Sequence, residues 1–268
     1  MKQLVYLLAV LLMVSCQRST NTTSEDLINL LQQSKWVDLT YSFDEKSVYW
    51  PTNISYTHDT VSYGMTANGY FYSSFKFSAE EHGGTHFDAP IHFSANKNTI
   101  ERVPLTQLKG PGVIVNVTEK AAANRDYLVS TNDFLEWEKK HGTIPTGAIV
   151  LMYTGHGKYY YDREKYLGTM LTGAEAVPKL HFPGLSHEAA KWLVENRKIN
   201  AIGLDTPSID YGQSTEFMTH RILCDHSLTM YENLTNLDQL PEKGSYIIAL
   251  PMKIKGGSGS PLRIVAIL

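Results

Sequence analysis

The sequence predicts a mixed α/β (α+β) fold in a single domain. Short β-branched runs bounded by glycine and proline recur along the chain, and segments of helical periodicity separate some of them. Strand-like segments outnumber helical ones, and neither an internal repeat nor a linker divides the body. In order, residues 25–33 space Leu27, Ile28, Leu30 and Leu31 as a short amphipathic helix entering the domain. Residues 36–40 and 54–60 read as strands flanking a polar turn and the segment Tyr49-Trp50-Pro51. Residues 70–77 alternate aromatic and small side chains, the pattern of a half-buried strand. Residues 112–117 and 148–153 are apolar runs suited to strands covered on both faces. Between them, Ser130 or Thr131 caps a helix that runs through Lys140 with Phe134, Leu135 and Trp137 in it. Ser186 opens a second helix, which carries Trp192 and Leu193 and ends near Asn196. Residues 201–204 form the next strand, followed by the turn Asp205-Thr206-Pro207-Ser208. Strands over 246–250 and 263–267 close the chain around a loop containing Gly256-Gly257-Ser258-Gly259.

Composition narrows the function. With 268 residues, 43% hydrophobic and 19% charged, the chain can bury a sizeable core. A net charge of −3 and no Lys/Arg-rich tract argue against a nucleic-acid partner. Residues 1–16 read as a signal peptide. Lys2 precedes an apolar run over 4–14, too short to span a bilayer, and Ser15-Cys16 resembles a lipoprotein cleavage box although Met13 stands where leucine is usual. The expectation is export to a bacterial cell envelope, with a lipid on Cys16 as the only membrane contact and residues 17–35 as a tether with the short helix. Residues 36–268 form the functional domain. Cys224, the other of the two cysteines, reads as a buried apolar group. Four Asn-x-Ser/Thr sequons, at Asn21, Asn53, Asn116 and Asn233, carry little weight outside a eukaryotic secretory pathway.

Chemistry concentrates in one stretch. Of ten histidines, His82, His86 and His92 fall within eleven residues together with Asp88. Gly83, Gly84 and Pro90 argue against a regular helix, and in extended chain these even-numbered positions point to one side. Imidazole and carboxylate are ligands for zinc, manganese or iron, and no phosphate-binding or dinucleotide glycine motif competes. His58, His141, His181, His187 and His226 lack metal-like spacing and read as structural. Asp205, Ser208 and Asp210 suit either a turn or the lining of a site, and Tyr49 and Trp50 either a substrate wall or packing. Tyr159-Tyr160-Tyr161 reads as a surface loop more than a lid.

The run His82-Gly83-Gly84-Thr85-His86-Phe87-Asp88-Ala89-Pro90-Ile91-His92-Phe93 resembles the signature His-x-Gly-Thr-His-x-Asp-x-Pro-x-His-Phe of the cyclase-like metal-dependent hydrolases, which include bacterial kynurenine formamidase and isatin hydrolase. The resemblance continues through Phe182-Pro183-Gly184-Leu185-Ser186, the stretch 203–210, His220, Glu232-Asn233-Leu234 and the stretch 256–263, and so covers residues 36–268. It implies a swivelling β/β/α fold and a homodimer or larger homo-oligomer. Residue by residue, it implies that His82, His86 and Asp88 bind a first divalent cation, that Asp88, His220 and Glu232 bind a second, and that His92 is the catalytic base. Zinc or manganese, two per subunit, is the expected cofactor. Isatin hydrolase-like members bear Gln where this chain has Glu232, which leans towards the formamidase-like arrangement. The implied activity is arylformamidase-like hydrolysis of a small amide or cyclic substrate, a C–N bond other than a peptide bond. A lactam or lactone hydrolase of the isatin type is the alternative. A non-catalytic, tethered metal or small-molecule binding protein would have no need of His92.

Overall fold

In this computed structural model the described residues are 23–268. The expected signal peptide and Cys16 lie outside them. The described residues divide into two units, the first ending at Ser34 and the second Lys35–Leu268. In the first unit, helix α1 (Ser24–Gln33) starts with a capping box, Thr23 and Asp26 satisfying each other's backbone N–H groups. The helix stands where the periodicity predicts it, and none of its residues is buried.

The second unit begins with β1 (Trp36–Asp38), β2 (Thr57–Met65), β3 (Phe71–Ser78), β4 (His86–Asp88) and β5 (Lys109–Asn116). Next come α2 (Thr118–Ala123), β6 (Leu128–Val129), α3 (Thr131–His141), β7 (Ile149–Tyr153) and α4 (Arg163–Leu167). Then follow β8 (Gly184–Leu185), α5 (His187–Asn196), β9 (Ala201–Leu204), α6 (Met218–Asp225), β10 (Thr229–Glu232), β11 (Lys243–Pro251) and β12 (Gly259–Ile267).

One sheet closes on itself. Strands run β12-β11-β5-β7-β9-β10-β4, and β4 pairs again with β12, while β1 takes the rest of that edge of β12. The segment β5-β7-β9-β10 is parallel, each neighbour reached through a crossover, and β4, β11 and β12 are antiparallel to their neighbours.

Alternation along these strands builds two layers. Ile114, Ile149, Leu151, Ala201, Tyr231, Ile247 and Ile264 share the barrel-side core with Phe87. Val113, Val115, Val150, Met152, Ile202 and Met230 form the other core, with Phe134 and Trp137 of α3, Ala189 and Leu193 of α5, and Leu223 of α6. The parallel strands are thus covered on both faces, which is why their sequences are continuous apolar runs. Helix α3 is capped by Ser130 and α5 by Ser186, both as the sequence predicts.

The β2–β3 hairpin departs from expectation. Residues 70–77 were read as a half-buried strand, yet nearly all residues of the hairpin are exposed, and it pairs with no other described strand. Its alternation is real, but among the described residues nothing buries either of its faces.

Candidate metal centre

The centre forms where the barrel closes. Strand β4 lies between β10 and β12, in register Glu232↔His86, Met230↔Asp88 and Gly259↔Asp88. Residues paired directly across antiparallel strands bring their side chains together on one face. Glu232 therefore meets His86, with Oε2 3.4 Å from His86 Nε2. Asp88 stands between the clusters: Oδ1 is 2.6 Å from His82 Nδ1 and 3.3 Å from His86 Nε2, and Oδ2 is 3.7 Å from His220 Nε2. His220 Nε2 is 3.3 Å from Glu232 Oε1. Two donor sets result, His82–His86–Asp88 and Asp88–His220–Glu232, each with its ligand atoms within 4.8 Å of one another. All five residues named as ligands in the sequence are brought together.

Each imidazole's outer nitrogen is occupied. His86 Nδ1 donates to the Gly84 carbonyl at 3.0 Å, and His220 Nδ1 to Asp210 Oδ2 at 2.7 Å. Asp210 is itself held by Thr219 N–H and His220 N–H in the first turn of α6, where unpaired N–H groups favour a carboxylate. Asp210, left open in the sequence between turn and site, thus orients a ligand. Ser208 lines the pocket, whereas Asp205 ties Thr154 and Gly157 and is structural.

The electrostatics suit a cation. Burial alone would push the His86 imidazole down, but the facing Asp88 and Glu232 carboxylates outweigh it and raise it to about 9. His220 is raised well above its usual value, against the same burial, by Asp210, Asp88 and Glu232. Burial would raise Asp88, yet His86, His220 and His82 hold it well below the carboxylate range. A buried field that holds extra protons on imidazoles favours equally a divalent ion that displaces them. Asp88 Oδ2 is buried without a hydrogen-bond partner. That orphaned oxygen and the imidazole–carboxylate donor set fit a divalent cation.

His92 is held differently. It ends the short helical turn Pro90–His92 and stacks on His82 at 3.7 Å between ring centroids, with its edge towards Phe93. Burial, with the neighbouring imidazoles, pushes it down to about 3, so it is a neutral ring at physiological pH. Loss of water around the buried ring disfavours its charged form, which accounts for the direction.

Above the donors lies a cavity of about 340 Å³ lined by Trp50, Phe93, Phe217, Tyr49, Asn53 and Glu80 as well as the site residues. Tyr49 and Trp50 thus belong to the pocket wall. Gly83 makes this possible: a Cβ there would lie 2.1 Å from the Tyr49 ring. Tyr160, by contrast, is buried and stacks on Tyr41, and Tyr161 is exposed. Sequence reasoning missed Phe217, Ser258 and the structural part of Asn233. The Asn233 amide donates to the Gly84 carbonyl at 2.7 Å, and its backbone carbonyl accepts from Thr85 Oγ1 at 2.6 Å, locking the 82–86 loop to the end of β10. At Asn233 the signals were a sequon and the resemblance over Glu232-Asn233-Leu234, and neither gave it a role. The five histidines read as structural, His58, His141, His181, His187 and His226, lie outside the pocket lining, as expected.

Comparison with known proteins follows the same lines. Residues 37–211 match the model of the Cyclase family, described as "Putative cyclase"; His82, His86, Asp88, His92 and Asp210 lie inside the match and His220 and Glu232 beyond it. An isatin hydrolase of Roseibium aggregatum is 33% identical over 196 residues, 70% of this chain and 72% of that protein. A kynurenine formamidase of Bacillus cereus is 26% identical over 235 residues, 88% of this chain and 98% of that protein. Among solved structures, isatin hydrolase A from Ralstonia solanacearum superposes with a TM-score of 0.83 at 30% identity, covering 93% of this chain and 99% of that one. The chain belongs to the Cyclase family and is a metal-dependent hydrolase.

Proposed function

We propose that this protein hydrolyses a small, uncharged aryl amide, either a lactam or a formamide, at the site beneath the aromatic pocket. The observation that carries the reading is the pair of donor sets sharing Asp88, whose buried Oδ2 lacks any other partner. His82, His86 and Asp88 would hold one cation and Asp88, His220 and Glu232 a second. When bound, such ions lower the pKa of a water and polarise an acyl oxygen. His92 accepts the proton that the attacking water loses and delivers it to the leaving nitrogen as the C–N bond breaks. Trp50, Phe93 and Phe217 pack against a planar ring and keep bulk water from the reacting carbonyl. Away from the cations the pocket wall contains no lysine or arginine and does contain Glu80, so a negative charge on the substrate's ring portion would find no counter-charge from a side chain.

Overall likeness to isatin hydrolases favours the lactam. Glu232, standing where the isatin type has Gln, favours the formamide. A panel of aryl formamides, lactams and lactones separates the two, with chelator-treated protein as the control. Chelation abolishes turnover, and zinc or manganese restores it with two ions per chain by elemental analysis. Full activity in metal-free protein would sink the proposal. We also propose self-association through the exposed hairpin and export with a lipid on Cys16.

A further inference from the structure

Of the three imidazoles facing the carboxylates, His82 alone turns its Nδ1 inward, 2.6 Å from Asp88 Oδ1. His86 and His220 face inward through Nε2 and donate outward through Nδ1. Whatever fixes the proton on His82 must therefore sit on its Nε2 side. That place is taken by Ser258 Oγ, 2.9 Å away, from a loop 176 positions later in the chain.

The direction of that hydrogen bond is determined by a third residue. Glu81 Oε2 accepts from Ser258 N–H at 2.8 Å, Gly259 N–H at 3.1 Å and Ser258 Oγ–H at 2.7 Å. The serine proton is committed to Glu81, so towards His82 the hydroxyl can only accept. His82 must then carry its hydrogen on Nε2 and present the Nδ1 lone pair inward. The same loop limits the ring from one side, since a Cβ on Gly259 would lie 2.4 Å from His82 Cε1.

We propose that Glu81 and Ser258 are positioning residues, a carboxylate–hydroxyl–imidazole relay that fixes the His82 tautomer and makes its Nδ1 a competent ligand of the first cation. Outer partners of this kind orient ligand imidazoles and raise their donor strength. The relay rests on the cation-binding reading above and specifies which residues outside the donor set govern affinity. It also gives the 256–259 loop, otherwise a connection between β11 and β12, a role at the centre.

The test uses the full chain stripped of metal and titrated with Mn²⁺ or Zn²⁺ against a competing chelator. Ser258→Ala is expected to weaken the tighter cation site by about 10–100-fold. Ser258→Thr, which keeps the hydroxyl, restores affinity to within about threefold of the parent. Glu81→Gln keeps an acceptor for the serine but loses the charge, and falls between. In ¹⁵N-histidine spectra of the metal-loaded parent, the proton of His82 resides on Nε2; in Ser258→Ala the His82 signals shift or broaden. Unchanged affinity in Ser258→Ala, or equal losses in Ser258→Ala and Ser258→Thr, would overturn the relay. Should Ser258→Ala not fold, unchanged affinity in Glu81→Gln overturns it in its place. A parent chain that binds no cation fails the cation reading itself, and the relay falls with it.

Discussion

At the scale of single residues, the centre depends on which atom of each side chain faces inward. Asp88 alone belongs to both donor sets, and its two oxygens are divided between them. His92 differs from the ligating histidines in being held by ring contacts with His82, Phe93 and His220. Its replacement should therefore leave the cation sites standing. In His92→Ala, kcat is expected to fall about 10²–10⁴-fold while elemental analysis finds the parent's metal content. Turnover at the parent's rate would remove His92 from the reaction and favour a binding protein. Of the candidate ligands, His82, His86 and Asp88 were legible because they match a spaced motif, and His220 and Glu232 because the resemblance extends beyond it. Asp210, Ser258 and Asn233 were not. Their roles lie in accepting or donating one hydrogen bond to a distant partner, and serine, aspartate and asparagine do the same in any turn.

At the scale of elements, long apolar strands and well-capped helices followed their sequence patterns closely, with boundaries shifted by a few residues. The elements that bear the site were harder. Strands β4 and β10 are only three and four residues long, and neither showed a period of its own. Helix α6 buries Thr219 and His220 beside Leu223 and Cys224, so half of its inward face is polar and hydrophobic spacing does not reveal it. The Cys224 thiol is pushed up to about 11 by burial, in keeping with an inert packing group.

Two expectations belong at this scale. Hairpin β2–β3 exposes Tyr63 at 71% and Met65 at 69%, beside Phe71 and Phe75. A contiguous apolar patch of this kind marks an association surface. The parent should elute as a dimer or larger species in light-scattering chromatography, and Tyr63→Glu with Phe75→Glu should shift it to monomer; a monomeric parent would refute this. The second concerns the short helical segment His156–Tyr159. His156 is buried with Nε2 2.7 Å from the Tyr166 carbonyl, and burial pushes it down to about 4. The unfolded chain binds the proton from about pH 6.5 and the folded chain only near 4, so stability present above pH 6.5 is lost as pH falls through that window. The shift corresponds to about 3 kcal/mol. His156→Gln should lose less stability than the parent between pH 7 and 4.5 in denaturant titrations, and equal losses would contradict the assignment.

For the molecule as a whole, closure of the barrel joins chemistry from distant parts of the sequence. The mixed α/β class follows from the order of strand and helix patterns, and the structure agrees. The proposal of export concerns residues 1–16. Replacement of Cys16 by Ser is expected to release the protein from the membrane fraction and abolish fatty-acid labelling. An unlabelled parent in the soluble fraction would dismiss it. No helix among the described residues is long and apolar enough to cross a membrane.

By itself the sequence determined the chemistry. His82, His86, Asp88 and His92 lie close enough together for local geometry to bring them to one place, and their side chains leave few alternatives to a cation. What only the tertiary structure decided is the pairing of that stretch with partners far along the chain: Glu232 opposite His86, Asp210 behind His220, Ser258 behind His82. The reason is physical. Strand register at a barrel's closure is set by the burial of every strand around it, whereas a spacing rule reaches no further than the segment it is read from.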